Sequence, residues 1–262
     1  MLNFQLNYLP NYTSKPRETA LSMVMDKGLS LLQARELVES AGHLVDFVKL
    51  GFGTSIATAQ LAEKIRLYQQ HGIKVYFGGT LFEAFLVRDQ LEDYRRLLDH
   101  YKLDTVEVSD GTIKLDEQRK CALISDFSKN YRVLSEVGSK NESVLIEPKK
   151  WIRLINQELA AGAYKVIAEA RESGNVGIYR ANGKQRTVLI NRILASVDPD
   201  KIIWEAPQKS QQVAFIKLLG SHVNLGNLAP SEVVACHTLR MGLRGDTFFD
   251  HLPESIRTTY MP

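Results

Sequence analysis

Cysteine is scarce. Cys121 and Cys236 stand in unrelated contexts with neither CxxC nor histidine-flanked spacing, which excludes a disulfide framework and a Cys/His zinc module and leaves reduced thiols as the expectation. No run of about 18 apolar residues exists, so no membrane-spanning helix is expected. The N-terminal segment lacks both a continuous apolar core and a small-residue cleavage site, so secretion is not expected either. Dense basic tracts are missing too. The net charge of +3 is dispersed, and Arg95-Arg96 and Lys149-Lys150 read as solvated helix faces, so nucleic acid is not an expected partner. Histidine is sparse, and His43, His71, His100 and His251 fall in helix ends or tails, which argues against zinc. Together these absences describe a cytoplasmic protein whose partners are small molecules.

What is present is alternation. Apolar strand-like segments occur at Leu21–Met25, Val45–Leu50, Ile73–Phe77, Asp104–Ser109, Tyr131–Val137, within Lys165–Gly174, at Lys201–Ala206 and at His222–Leu225. Helical spacing follows each of them, at Leu32–Ser40, Leu61–Gln70, one long helix after Thr80 reaching about His100, Leu115–Lys129, Pro148–Gly162, Val188–Ala195, Ser210–Leu219 and Pro230–Gly242. Strand and helix in regular alternation imply parallel strands with right-handed crossovers. Eight such pairs in 262 residues predict a single-domain (β/α)8 barrel spanning 1–262, with a polar lead-in at 1–18 and a tail at 249–262. A doubly wound open sheet usually brings a Gly-rich first turn, which is missing here.

In such a barrel the site lies where the strands end. Those ends are polar almost throughout: Asp26 with Lys27, Lys49, Gly78-Gly79-Thr80, Glu107, Glu136 with Lys140, Glu169 with Arg171, Glu205 with Gln208 and Lys209, and Gly226-Asn227. Lys165–Gly174 reads as a buried strand, so Glu169 and Arg171 point to one side of it, and buried charges there need partners. Four successive strands each bring a glutamate to one level, which reads as an ion-pair network or as an oxygen-only metal site suited to Mg²⁺. Gly51-Phe52-Gly53-Thr54-Ser55 and Gly78-Gly79-Thr80 could aim backbone N–H groups at an anion. Gly226-Asn227, with Gln208, Lys209 and Ser210 across from it, suits a phosphate. Arg240 and Arg244 either add anion-binding capacity or anchor the terminus.

Several longer segments carry a resemblance. MVMDKGL (23–29), DFVKLGFGTS (46–55), GGTLFE (78–83), SDGT (109–112), LSEVG (134–138), EARESG (169–174), EAPQKSQQ (205–212), VNLGN (223–227) and LRGDTF (243–248), in this order, resemble the phosphosulfolactate synthase family. The resemblance implies a (β/α)8 barrel that adds sulfite to phosphoenolpyruvate with Mg²⁺, giving (2R)-2-phospho-3-sulfolactate for coenzyme M biosynthesis. It further implies Lys140 as the acid that protonates C2. Glu107, Glu136, Glu169 and Glu205 form the pool of metal ligands, led by Glu136 and Glu169. Lys49 and Arg171 would face carboxylate or sulfite, and Lys209, Gly226 and Asn227 the phosphate. Two positions depart from the pattern: Phe77 replaces a proline, and Ser139 replaces a second lysine before Lys140. The alternatives are an aldolase-like barrel using Lys49 as a Schiff-base lysine and an anion-binding barrel without catalysis. Association of copies through the outer helices is compatible with the sequence.

Overall fold

In each strand, successive side chains point to opposite faces, and here both faces are covered. The computed structural model describes residues 3–139 and 146–262. Its chain runs β1 (Ser22–Asp26), α1 (Leu31–Ala41), β2 (Phe47–Leu50), α2 (Leu61–Gln70), β3 (Lys74–Phe77), α3 (Gly79–Leu86), α4 (Leu91–His100), β4 (Thr105–Val108) and α5 (Glu117–Phe127). It continues through β5 (Arg132–Val137), α6 (Pro148–Ala160), β6 (Lys165–Ala168), α7 (Thr187–Leu194), β7 (Ile202–Glu205), α8 (Lys209–Leu219), β8 (Leu225–Leu228), α9 (Val233–Arg240) and α10 (Glu254–Tyr260).

The strands are parallel, in the order β3-β2-β1-β8-β7-β6-β5-β4. This is a nearly closed (β/α)8 barrel. Phe47, Tyr76, Leu134, Ile167 and Ile203 point inward and pack with Leu21 and Met23. Val48, Val75, Val133, Val166 and Ile202 point outward into the layer shared with the helices. Polar residues fix where helices begin: Ser30 and Gln33 form a capping box on α1, and Asp116 accepts from the N–H groups of Gln118 and Arg119 at the start of α5, each of which satisfies amides the helix cannot. No helix among the described residues is long and apolar enough to cross a membrane.

The expected elements shift in four places. The long helix after Thr80 is two helices, because Asp89 adopts a left-handed φ of 56° and the Gln90 N–H turns back to the Phe85 carbonyl at 3.0 Å. The eighth strand begins at Leu225 rather than at His222. Asn224 imitates a ladder residue with its side chain, accepting from Leu21 N–H at 3.1 Å and donating to the Ile202 carbonyl at 3.1 Å. The sixth strand stops at Ala168, and Arg171 has φ 54°, so Glu169 and Arg171 do not share a strand face. The tail contains α10. At the base of the barrel Arg17 pairs with Asp46 at 2.7 Å, which ties the polar lead-in down. Arg240 is buried and donates to the carbonyls of Ser221, Val223 and Leu21. It is a structural anchor of β1 and β8 rather than an anion ligand.

Candidate active site

Two residues beyond the inward apolar layer, the same alternation delivers charge. Lys49 follows Phe47, Glu136 follows Leu134, Glu169 follows Ile167 and Glu205 follows Ile203 on the inward face, with Glu107 at the same level on β4. All four glutamates are at most 1% exposed. Lys49 Nζ lies 3.0 Å from Glu107 Oε2, 3.2 Å from Glu136 Oε2 and 3.6 Å from Glu205 Oε1. Burial disfavours its charge, but these three carboxylates together outweigh burial and hold the ammonium well above its ordinary pKa. The phenol of Tyr76 in the same core is pushed up by burial and then by Glu107.

Backbone amides orient the carboxylates. Gly79 N–H donates to Glu107 Oε1 at 2.6 Å, Ala170 N–H to Glu205 Oε2 at 2.9 Å and Arg171 N–H to Glu169 Oε1 at 2.6 Å. Gly79 is obligatory, since a Cβ there would stand 2.2 Å from Ser109 Oγ and 2.6 Å from Glu107 Oε1. With one oxygen on α3 and the other on Lys49, Glu107 sits apart from the remaining three glutamates. Glu136, Glu169 and Glu205 each bring a carboxylate oxygen into a group within 4.8 Å of one another. Buried, close and oxygen-only, this donor set fits a hard divalent ion such as Mg²⁺ rather than a soft one.

The barrel brings Lys49 and the four glutamates together. Arg171 lies on the rim, exposed. Gly78 packs on the Lys49 stem, where a Cβ would lie 3.2 Å from Cε. Gly79 gives its N–H to Glu107 rather than to an external anion, and Thr80 is half-buried in the first turn of α3. Lys209, at the start of α8, pairs with Asp246 at 2.6 Å. Gly226 and Asn227 are a correction: they belong to β8, not to the loop beyond it. A Cβ on Gly226 would stand 2.7 Å from Met23 Cε, and Asn227 is buried. Lys140 lies outside the described residues.

The loop after β6 folds back on the site. Ile178 N–H donates to the Glu169 carbonyl at 3.1 Å, and Tyr179 Oη to the Glu205 carbonyl at 2.8 Å. Gln208 reaches the Ser173 carbonyl at 2.8 Å and Gln211 the Gly174 carbonyl at 2.7 Å. Lys27, in the loop after β1, pairs with Glu172 of this loop.

Four buried charged residues on helices, Lys64, Glu83, Lys120 and Glu158, escaped the sequence reading. Lys64 pairs with Asp26 at 2.9 Å. Glu83 accepts from Ser109 Oγ and from Thr112 N–H. Lys120 lies 2.9 Å from Glu158, 2.8 Å from Asp110 and 2.6 Å from the Glu136 carbonyl. Burial alone would lower the Lys120 pKa, but Glu158 and Asp110 push it up, while burial raises that of Glu158. Their signal was helical phase: Lys120 lies in register with buried Ile124 and Phe127, and Glu158 with Trp151 and Ile155. A charge in an apolar stripe should have a buried partner. Lys120→Met is therefore expected to lower unfolding stability by about 3–5 kcal/mol. Urea denaturation checks this, and a midpoint equal to wild type would contradict it.

Comparison with known proteins adds a family. Residues 10–246 match the sequence profile of (2R)-phospho-3-sulfolactate synthase (ComA). The chain is 40% identical over 252 residues to a phosphosulfolactate synthase of Bacillus subtilis (strain 168), covering 95% of this chain and 100% of that one. It is 43% identical over 244 residues to a phosphosulfolactate synthase of Methanothermobacter thermautotrophicus, covering 91% and 95%. Among solved structures, 3-hexulose-6-phosphate synthase from Salmonella typhimurium superposes with TM-score 0.53 at 14% identity, covering 86% of this chain and 100% of that one. That likeness concerns the barrel alone.

Proposed function

Because the chain belongs to the phosphosulfolactate synthase family, we propose that it adds sulfite to C3 of phosphoenolpyruvate to give (2R)-2-phospho-3-sulfolactate. The observation that carries this reading is the buried ring of Lys49, Glu107, Glu136, Glu169 and Glu205 at the barrel mouth. Glu136, Glu169 and Glu205 would hold Mg²⁺. When bound, Mg²⁺ supplies Lewis-acid stabilisation of negative charge growing on the substrate carboxylate.

The sulfur lone pair forms the bond to C3 as the C2=C3 π pair moves to C2 and into the carboxylate. Lys49, kept as an ammonium by three carboxylates, offers fixed positive charge to that carboxylate without spending reorganisation energy at the moment of reaction. The same protonated state disfavours an imine-forming role, since an amine must lose its proton to attack a carbonyl. This favours sulfite addition over the aldolase-like reading. Lys140, shortly after β5, is the proposed acid. It would deliver its proton to C2 and regain one from solvent between turnovers.

Purified protein with phosphoenolpyruvate and sulfite, with and without Mg²⁺, followed by mass spectrometry, tests the reading. Phosphosulfolactate is expected only with the metal, and its rate should fall about a hundredfold or more in Lys140→Ala. Folded wild type that makes no product with any divalent ion would sink the synthase assignment.

A further inference from the structure

Gly226 lies within β8, paired with Glu205 at the mouth, and Lys209 is engaged by Asp246. A second basic recess opens further out. Between the loop after β6 and the start of α8 lies a concavity of about 660 Å³ lined by Arg180, Lys184, Gln185, Thr187, Gln208 and Ser210 among others, with no aspartate or glutamate in its wall.

Its two cations ride on a built turn. Tyr179 and Gln185 form an antiparallel bridge, Arg180 N–H donates to the Lys184 carbonyl at 2.9 Å and Gly183 N–H to the Arg180 carbonyl at 2.9 Å. Gly183 has φ 76°, the left-handed conformation that glycine adopts at little cost. Gln211 secures the turn by donating to the Gly183 carbonyl at 3.3 Å. The first turns of α7 and α8 contribute Thr187 and Ser210 to the wall; no side chain caps α7, whereas Gln208 and Gln211 form a capping box on α8. Unpaired amides at a helix start favour negative charge. Gln185, half-buried in the same wall, has no acceptor for its Nε2 among the described residues. A concavity that carries two cations, with no acid in its wall, complements an anion that accepts several hydrogen bonds at once.

We propose that this concavity is an anion site that takes the phosphate dianion of a small phosphorylated molecule. The site stands on its own geometry, and only its assignment to the substrate's own phosphate rests on the proposed reaction. Titration of the full chain with inorganic phosphate by calorimetry tests it, against Arg180→Ala/Lys184→Ala and Lys184→Glu. Both cations are exposed, so the variants should keep the wild-type circular dichroism and melting temperature. Phosphate should bind wild type and bind the double variant at least about tenfold more weakly. Heat that survives undiminished in the double variant, or no heat from wild type at millimolar phosphate, would overturn the site.

The source of the ligand is read kinetically. Phosphate competing with phosphoenolpyruvate, with KM raised and kcat kept in the double variant, assigns the concavity to the substrate's phosphate. Binding lost in the variant without such competition assigns it to a separate phosphorylated molecule. Either result upholds the site. Lack of synthase activity would leave the calorimetry intact, so the two failures are distinguishable.

Discussion

Lys49→Met is expected to lower unfolding stability by about 3–5 kcal/mol and to remove product formation. The ammonium lies within 3.6 Å of Glu107, Glu136 and Glu205, in surroundings where all of these groups are buried. Removing one partner from a buried charge network costs about 3–5 kcal/mol, because the remaining charges lose their compensation without regaining water. Methionine roughly keeps the stem's volume, so the loss reports charge rather than a cavity. The sign of the pH dependence follows from the direction of the shift. A lysine whose folded pKa is raised contributes stability that is fully present below its unfolded value of about 10.4 and is lost as pH rises through the higher folded value. Between neutrality and pH 9 the deficit of the variant should therefore be flat as far as Lys49 itself is concerned. Urea unfolding at several pH values measures it. A variant as stable as wild type would show that the carboxylates are compensated without Lys49.

Gly177→Ala should show the opposite profile, with catalysis lost and the barrel kept. A Cβ on Gly177 would stand 1.9 Å from the Glu169 carbonyl oxygen, and the residue has φ 64°. The obstacle is backbone, which cannot swing away as a side chain does, and the left-handed φ adds its own strain of about 1 kcal/mol. The loop must lift from Glu169. It would take with it the hydrogen bond from Ile178 to Glu169 and loosen that from Tyr179 to Glu205, beside two of the three proposed metal ligands. Since the loop lies outside the eight strands, the melting temperature should change by only a few degrees, whereas product formation should fall about a hundredfold or more, as expected when positioning slips by about 1 Å. Near-wild-type turnover would mean that the loop does not position Glu169 and Glu205.

Much of this was legible in the sequence, for a physical reason. A period of two makes a charged residue conspicuous where the inward apolar row should continue, so Lys49, Glu107, Glu136, Glu169 and Glu205 stood out. Helices hide the same anomaly, because Lys120 and Lys64 look solvated until the phase of their neighbours is counted. Strand ends were harder. Asn224 pairs through its side chain and so displaced the apparent eighth strand, moving Gly226 and Asn227 from the expected phosphate loop into the sheet. Arg171 turns left-handed, which no alternation pattern announces. The break at Asp89 needed a positive φ at a residue that is neither glycine nor asparagine. All five mouth residues thus followed from periodicity, while their hydrogen-bond partners in Gly79, Ala170 and Arg171 depended on loop conformations that periodicity does not encode.

Seven neighbouring strand pairs in the barrel share a ladder, whereas β3 and β4 stand at the two ends of the sheet order. They are joined instead by the Gly79 N–H on Glu107 and by Ser109 on Glu83. The cylinder is topologically an open sheet rolled up and buttoned by its own site residues. Circular permutation exploits such an arrangement, because new chain ends placed in the exposed turn between α3 and α4 would cut no ladder. The clasp that shapes the mouth is also the natural place to unzip the gene.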